Sequence, residues 1–184
     1  MKNYIVPGVF SLMMIACGAS VPYRVDYPLT KKEFYSRDSI FSGRIPQGWF
    51  SSDDEELASA HVVWLIRDDF SATLAFKELK LDELSKKRVN DEGLILLARL
   101  SFSLQQSNPL FKTKEIELHE FEVNSKKFCG YEMNFTGALK RVIVFEAKGK
   151  FYECEARIVK GSPSLKELEH LYTVQQTLLT SLTF

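Results

Sequence analysis

From Phe128 to Ile158 apolar and polar residues alternate with a period of two. Cys129, Tyr131, Met133 and Phe135 share one face of a first run. Ile143, Phe145 and Ala147 share a face of a second, and Tyr152, Cys154, Ala156 and Ile158 of a third. That period predicts three half-buried strands in close order, after a weaker one over Lys114 to Val123. Lys148-Gly149 has the length and composition of a two-residue hairpin turn, which sets Ile143 opposite Cys154. A three-residue loop at Gly137 to Leu139 aligns the first strand's apolar set with the other two. A two-residue loop flips it to the other face.

Upstream, Ile40 to Phe50 reads as an extended segment with a Pro46-Gln47-Gly48 turn before Trp49. Ser52-Asp53-Asp54-Glu55 has capping-box spacing, so a short helix is expected there. His61 to Ile66 and Phe70 to Leu81 read as strands, the second with Ala72, Leu74 and Phe76 on one face. Asp91 to Gln106 is expected to be a helix with Leu94, Leu97, Leu100 and Leu104 as its buried stripe. Ser162-Pro163 looks like an N-cap with proline at the first helical position, opening a terminal helix. Leu165, Leu168, Leu171, Tyr172, Leu178, Leu179 and Leu182 recur along that helix. The predicted architecture is α+β, a mostly antiparallel sheet covered by two main helices.

The N-terminus carries a different signal. Met1-Lys2-Asn3 is a short positive start, and Tyr4 to Ala16 is uncharged, mostly apolar and too short to span a bilayer. Its end, Leu12-Met13-Met14-Ile15-Ala16-Cys17, resembles a bacterial lipobox, with Met14 where that motif prefers leucine. The resemblance implies cleavage before Cys17 and acyl chains on that residue; two or more such chains suffice for stable anchoring. A plain secretory signal cut after Ser20 is the competing reading. Gly18 and Ala19 lack the aspartate that retains many enterobacterial lipoproteins in the inner membrane, so an outer-membrane address facing the periplasm is expected. The domain plan is then residues 1–16 signal peptide, 17–38 lipidated N-terminus and flexible tether, and 39–184 globular domain. About twenty tether residues would reach at most ~70 Å.

Composition closes off some partners. The 24 basic and 24 acidic residues cancel, so nothing points to nucleic acid. A domain of ~150 residues buries enough surface to fold without a metal or disulfide staple. His61, His119 and His170 form no ligand spacing, and no phosphate loop or nucleophile elbow occurs, so no metal, cofactor or catalytic residue is expected. Asp53 to Glu56 reads as helix-end chemistry, not a calcium site. In the three-residue-loop register Cys129 and Cys154 lie about 13 Å apart along the strands and about 10 Å across them. A disulfide needs Cα atoms within ~7 Å, and in the flipped register the two face opposite sides; both are expected to be buried free thiols. Trp49, Phe50 and Trp64 are candidate ligand or partner contacts, with the floor beneath the Pro46-Gln47-Gly48 turn as their structural alternative.

The run Gly43-Arg44-Ile45-Pro46-Gln47-Gly48-Trp49, and the order of elements after it, resemble the Mog/PsbP superfamily. That superfamily includes photosystem extrinsic subunits, a Ran-binding yeast protein and bacterial lipoproteins of the DcrB and LpqN type. The resemblance covers roughly Ser39 to Phe184 and implies an α/β/α sandwich working as a binding or accessory module without chemistry of its own. The expected function is a lipid-anchored, non-enzymatic binding or accessory protein of the cell envelope. Its partners would be the membrane, through acyl chains, and an envelope protein or small apolar ligand. An envelope hydrolase and a structural subunit of a membrane-associated complex are the alternatives.

Overall fold

In the computed structural model, Lys148 and Gly149 both adopt left-handed backbone, with φ of 49° and 77°. This is the geometry that lets a two-residue turn follow the twist of its strands. It joins strand β8 (Ala138–Ala147) to β9 (Lys150–Ile158) and pairs Ile143 with Cys154, as the alternation predicts. The structure describes residues 26–52, 60–106, 115–135 and 138–184.

Around that hairpin an antiparallel sheet of seven strands assembles. In chain order its other members are β3 (Trp49–Ser51), β4 (Val63–Arg67), β5 (Ala72–Glu78), β6 (His119–Val123) and β7 (Lys126–Phe135). In space they run β3-β4-β5-β9-β8-β7-β6. Phe135 pairs with Ala138, so two residues join β7 to β8, not three. The flipped register is therefore the one realised. Cys129, Tyr131 and Met133 share a face with Val142 and Val144, while Ile143 and Phe145 point the other way with Phe128. Both faces can hold apolar residues because both are covered.

On one face lies helix α3 (Leu165–Thr180), which buries Leu168, Leu171, Val174, Leu178 and Leu179. Its N-cap is Ser164, two residues beyond the expected Ser162. Ser164 Oγ accepts from the Glu167 amide and Glu167 Oε2 from the Ser164 amide, a reciprocal box that Ser162 cannot form. The same face carries a two-stranded antiparallel sheet, β1 (Leu29–Tyr35) with β2 (Ser42–Pro46). β1 falls inside the segment expected to be tether, so Leu29–Tyr35 belongs to the folded domain. Phe34 is buried in the core, and Tyr27 packs edge-on against His170 at 5.3 Å. Gly43 permits this packing: a Cβ there would stand 2.7 Å from the Phe34 ring and 3.0 Å from Leu182. Thr183 bridges to Ser42 and ties the segment after α3 to β2.

The opposite face is covered by α1 (Glu83–Glu92) and α2 (Leu94–Gln106), separated by Gly93 at φ 83°. The first of these helices was not expected. It buries Val89 alone and is held by its cap, the Ser85 amide donating to Asp82 at 2.7 Å. α2 turns Leu97, Ala98, Ser101 and Phe102 inward and leaves Leu104 exposed, so its buried stripe is rotated from the predicted leucine row. The short helix expected at Ser52 to Glu55 lies outside the described residues.

Candidate functional site

Alternation along β9 sends Phe151, Glu153, Glu155 and Arg157 to the face that α1 and α2 cover. A half-buried strand would leave those glutamates in solvent; the structure buries both, leaving Glu153 4 % and Glu155 7 % exposed. Burial of a carboxylate is tolerated only where partners replace water. Glu153 Oε2 accepts from the Ser101 hydroxyl at 2.5 Å and from Gln105 Nε2 at 3.4 Å, both on α2. Ser101 Oγ also lies 2.8 Å from the Tyr131 hydroxyl, which accepts from Gln105 Nε2 at 3.2 Å. With Ser101 donating to Glu153, Tyr131 donates to Ser101, and the protons run in one direction from phenol to carboxylate. Burial, opposed by the Ser101 hydrogen bond and helped by nearby glutamates, holds the Tyr131 hydroxyl above its ordinary range.

One pleat further along β9, Glu155 Oε2 meets Lys140 Nζ at 2.8 Å, with Lys77 Nζ at 3.9 Å and Arg157 Nε 3.9 Å from its other oxygen. Burial alone pushes this carboxyl up. The Lys140, Lys77 and Arg157 charges together outweigh it and hold Glu155 below the usual carboxylate range. The two glutamates thus divide the work. Glu153 is neutral-bonded and pins α2 to the sheet, while Glu155 is ion-paired and joins β5, β8 and β9. Two covering helices over one sheet were the available signal. If both faces are covered, charges on either face must be paired inside.

On the α3 face, Gly130 leaves β7 without a side chain, and a groove of about 400 Å³ opens over it. Phe121, Gly130 and Ile143 form its floor, and His119, Glu132 and Arg141 stand at its sides. Arg141 is held rigidly. Its Nε donates to Gln175 Oε1 at 2.7 Å, its Nη2 to the Tyr172 carbonyl at 2.6 Å, and its guanidinium lies 4.2 Å from the Tyr172 ring centroid. Gln175 is fully buried and spends its amide on the Cys154 carbonyl at 2.8 Å. An apolar floor edged by Arg141 and the Glu120 and Glu132 carboxylates suits a small ligand, or a partner's side chain, with both apolar and polar groups. A glycine inside a strand pattern was the sequence cue for this concavity.

The candidates expected from sequence do not converge. Trp49 is buried in the α3-side core. Phe50, next along the strand, points to the other face, pairs with Ile66 and meets Phe70 edge-on at 5.8 Å. Trp64 is half-buried and stacks on His61 at 5.8 Å, opposite Ala75. Trp49 therefore belongs to the floor beneath the turn, whereas Phe50 and Trp64 share the opposite face. Cys129 and Cys154 are free, buried and on opposite faces of the sheet. Burial pushes each thiol up to about 12. His119 lines the groove and His170 meets Tyr27, well apart from His61. Among the described residues no group of three or more His, Cys, Asp or Glu side chains could hold a metal ion. Cys17 and Asp53 to Glu56 lie outside the described residues.

Among solved structures, the chain is similar to the solution structure of cyanobacterial PsbP (CyanoP) from Synechocystis sp. PCC 6803. The TM-score is 0.57 at 10 % identity, over 83 % of this chain and 91 % of that one. A crystal structure from Bacteroides thetaiotaomicron VPI-5482 overlaps with a TM-score of 0.39 at 14 % identity, over 83 % of this chain and 47 % of that one. No protein-family model matches the sequence, and no curated protein does. The fold is PsbP-like: α+β, with a large antiparallel sheet and a few helices.

Proposed function

Taking the PsbP-like fold as premise, we propose that this protein is a lipid-anchored, non-enzymatic binding or accessory module of the bacterial cell envelope, of the DcrB/LpqN type. The observation that carries the reading is the short spacing between Cys17 and Asp26, where the described residues begin. The apolar leader ends at Cys17, and the nine residues from Cys17 to Val25 separate it from Asp26. They reach at most ~30 Å, so an anchored domain works close to its membrane. Tethering confines it to a surface and raises its concentration near partners there. Gly18 and Ala19 favour the outer membrane, facing the periplasm. The groove over Gly130 is the place for a small apolar ligand or an envelope-protein partner. Three deeply buried polar groups, Ser101, Tyr131 and Glu153, hydrogen-bond to one another.

The test uses the full chain in a bacterium that processes lipoproteins. Mass spectrometry of membrane-purified material is expected to find Cys17 as an acylated N-terminus, and Cys17→Ser to leave the membrane fraction while staying folded. Membrane retention of Cys17→Ser overturns the reading. An envelope hydrolase has one observation in its favour, the serine–tyrosine–glutamate arrangement beneath α2. Activity-dependent labelling of Ser101 by a fluorophosphonate, abolished by Ser101→Ala, would displace the first reading.

A further inference from the structure

Resting on the lipid-anchored reading, we infer that the end of the domain around Phe70 is its membrane-contacting surface, inserting aromatic side chains into the lipid interface beside the anchor. The turn between β4 and β5 is closed by the Phe70 amide donating to the Arg67 carbonyl at 2.8 Å, and Phe70 then takes a left-handed φ of 59°. Glycine occupies that position without strain, and a bulky aromatic pays for it. Here the aromatic is also 55 % exposed, so burial does not repay the strain. An observed outlier of this kind is a reason to look for function. Around it lie Phe50, whose ring meets Phe70 edge-on, and Val159, whose amide donates to the Ser71 carbonyl; both are exposed. Lys160 Nζ sits 5.7 Å from the Phe70 ring centroid. Aromatics with a flanking lysine suit the headgroup boundary, where rings bury and the ammonium stays wet.

The occupant is fixed by where the N-terminal segment enters the domain. Tyr27 donates its hydroxyl to the Gln47 carbonyl at 2.7 Å, and the adjoining Gly48 carbonyl accepts from the Asp68 amide at 3.0 Å. The Asp26–Tyr27 entry, the Gln47–Gly48 turn and the Phe70 turn therefore occupy one end of the molecule. From Cys17 to that entry the chain reaches at most ~30 Å. A domain of this size has a radius of gyration of about 15 Å, so its breadth exceeds that reach and the opposite end cannot be carried round to the membrane. Asp68 and Asp69 flank Phe70 and offset Arg67 and Lys160, so the attraction is apolar and insensitive to salt.

The test is depth-dependent quenching in the lipidated full chain, purified with its acyl groups verified by mass. The protein is reconstituted into phosphatidylcholine vesicles with brominated acyl chains. Phe70→Trp, and Phe50→Trp in ordinary strand geometry, report on the proposed surface. Leu84→Trp reports on the far end, because α1 begins beyond the end of β5 opposite the Phe70 turn. Trp49 and Trp64 are a common background in all three. Quenching at Phe70→Trp and Phe50→Trp exceeding that at Leu84→Trp by at least about twofold, unchanged in high salt, supports the inference. Equal quenching at both ends of acylated, vesicle-bound protein overturns it, leaves the anchor standing and gives the patch to a protein partner. Protein recovered without acyl chains overturns the anchor and this surface together.

Discussion

Lys140 Nζ and Glu155 Oε2 lie 2.8 Å apart, with side chains only 6 % and 10 % exposed. The pair links β8 to β9 beneath the covering helices. Its value lies in being complete, because a buried charge that loses its partner costs more than the pair contributes.

Lys140→Met is therefore expected to destabilise the domain by about 2–4 kcal/mol. The double variant Lys140→Met/Glu155→Met is expected to lose less than the single one. Urea denaturation of the three proteins checks this.

Acid acts on the same group. The folded Glu155 carboxyl sits below its ordinary value, so its contribution is fully present above the unfolded pKa of about 4.3. It is lost as pH falls through the lower folded value. The stability difference between wild type and Glu155→Gln is expected to be flat above about pH 5 and to shrink below it. Chemical denaturation from pH 3 to 7 follows this.

Ser101→Ala leaves Tyr131 and Glu153 each short of a partner under α2, and is expected to cost about 1–3 kcal/mol. Hydrogen exchange should show α2 opening first. Equal loss of protection across α3 would contradict the pinning role given to Ser101.

Gly43→Ala places a methyl 2.7 Å from the buried Phe34 ring and 3.0 Å from Leu182, so the ring must shift within a packed core. A loss of about 1–3 kcal/mol is expected. At Phe70 the sign is different. Phe70→Gly relieves a left-handed aromatic while losing only exposed contacts, so its melting temperature should equal or exceed that of wild type.

Both remaining thiols are expected to resist iodoacetamide at pH 8 in the folded protein and to react fully in guanidinium, since burial pushes each up to about 12. Labelling of Cys154 under native conditions would mean that α3 lifts from the sheet.

The parts of the fold legible in the sequence were those with one apolar face and a diagnostic turn. Lys148-Gly149 fixes the register of β8 and β9, and the leucine stripe identifies α3. The PsbP-like plan was legible from the Pro46-Gln47-Gly48-Trp49 run and the order of elements. β1 was not, because Leu-Thr-Lys-Lys-Glu-Phe-Tyr offers only Phe34 as a deeply buried residue and depends on a partner strand and α3. α1 was hidden for a similar reason: a helix burying Val89 alone has no apolar stripe to read. The β7 register turned on one residue of loop length, and hydrophobicity could not decide it while both sheet faces were to be covered. The groove and the polar network follow from that coverage, which local patterning does not encode.

β5 pairs along its whole length with β9, from Ala72 with Ile158 to Glu78 with Tyr152. Both helices of one layer and three further strands are made between them. A nascent or proteolysed fragment ending before Lys150 therefore presents a bare, hydrogen-bond-hungry edge beside Leu74 and Phe76. Such a fragment should clump unless a chaperone holds it, and cooperative folding should wait for the late strand to arrive.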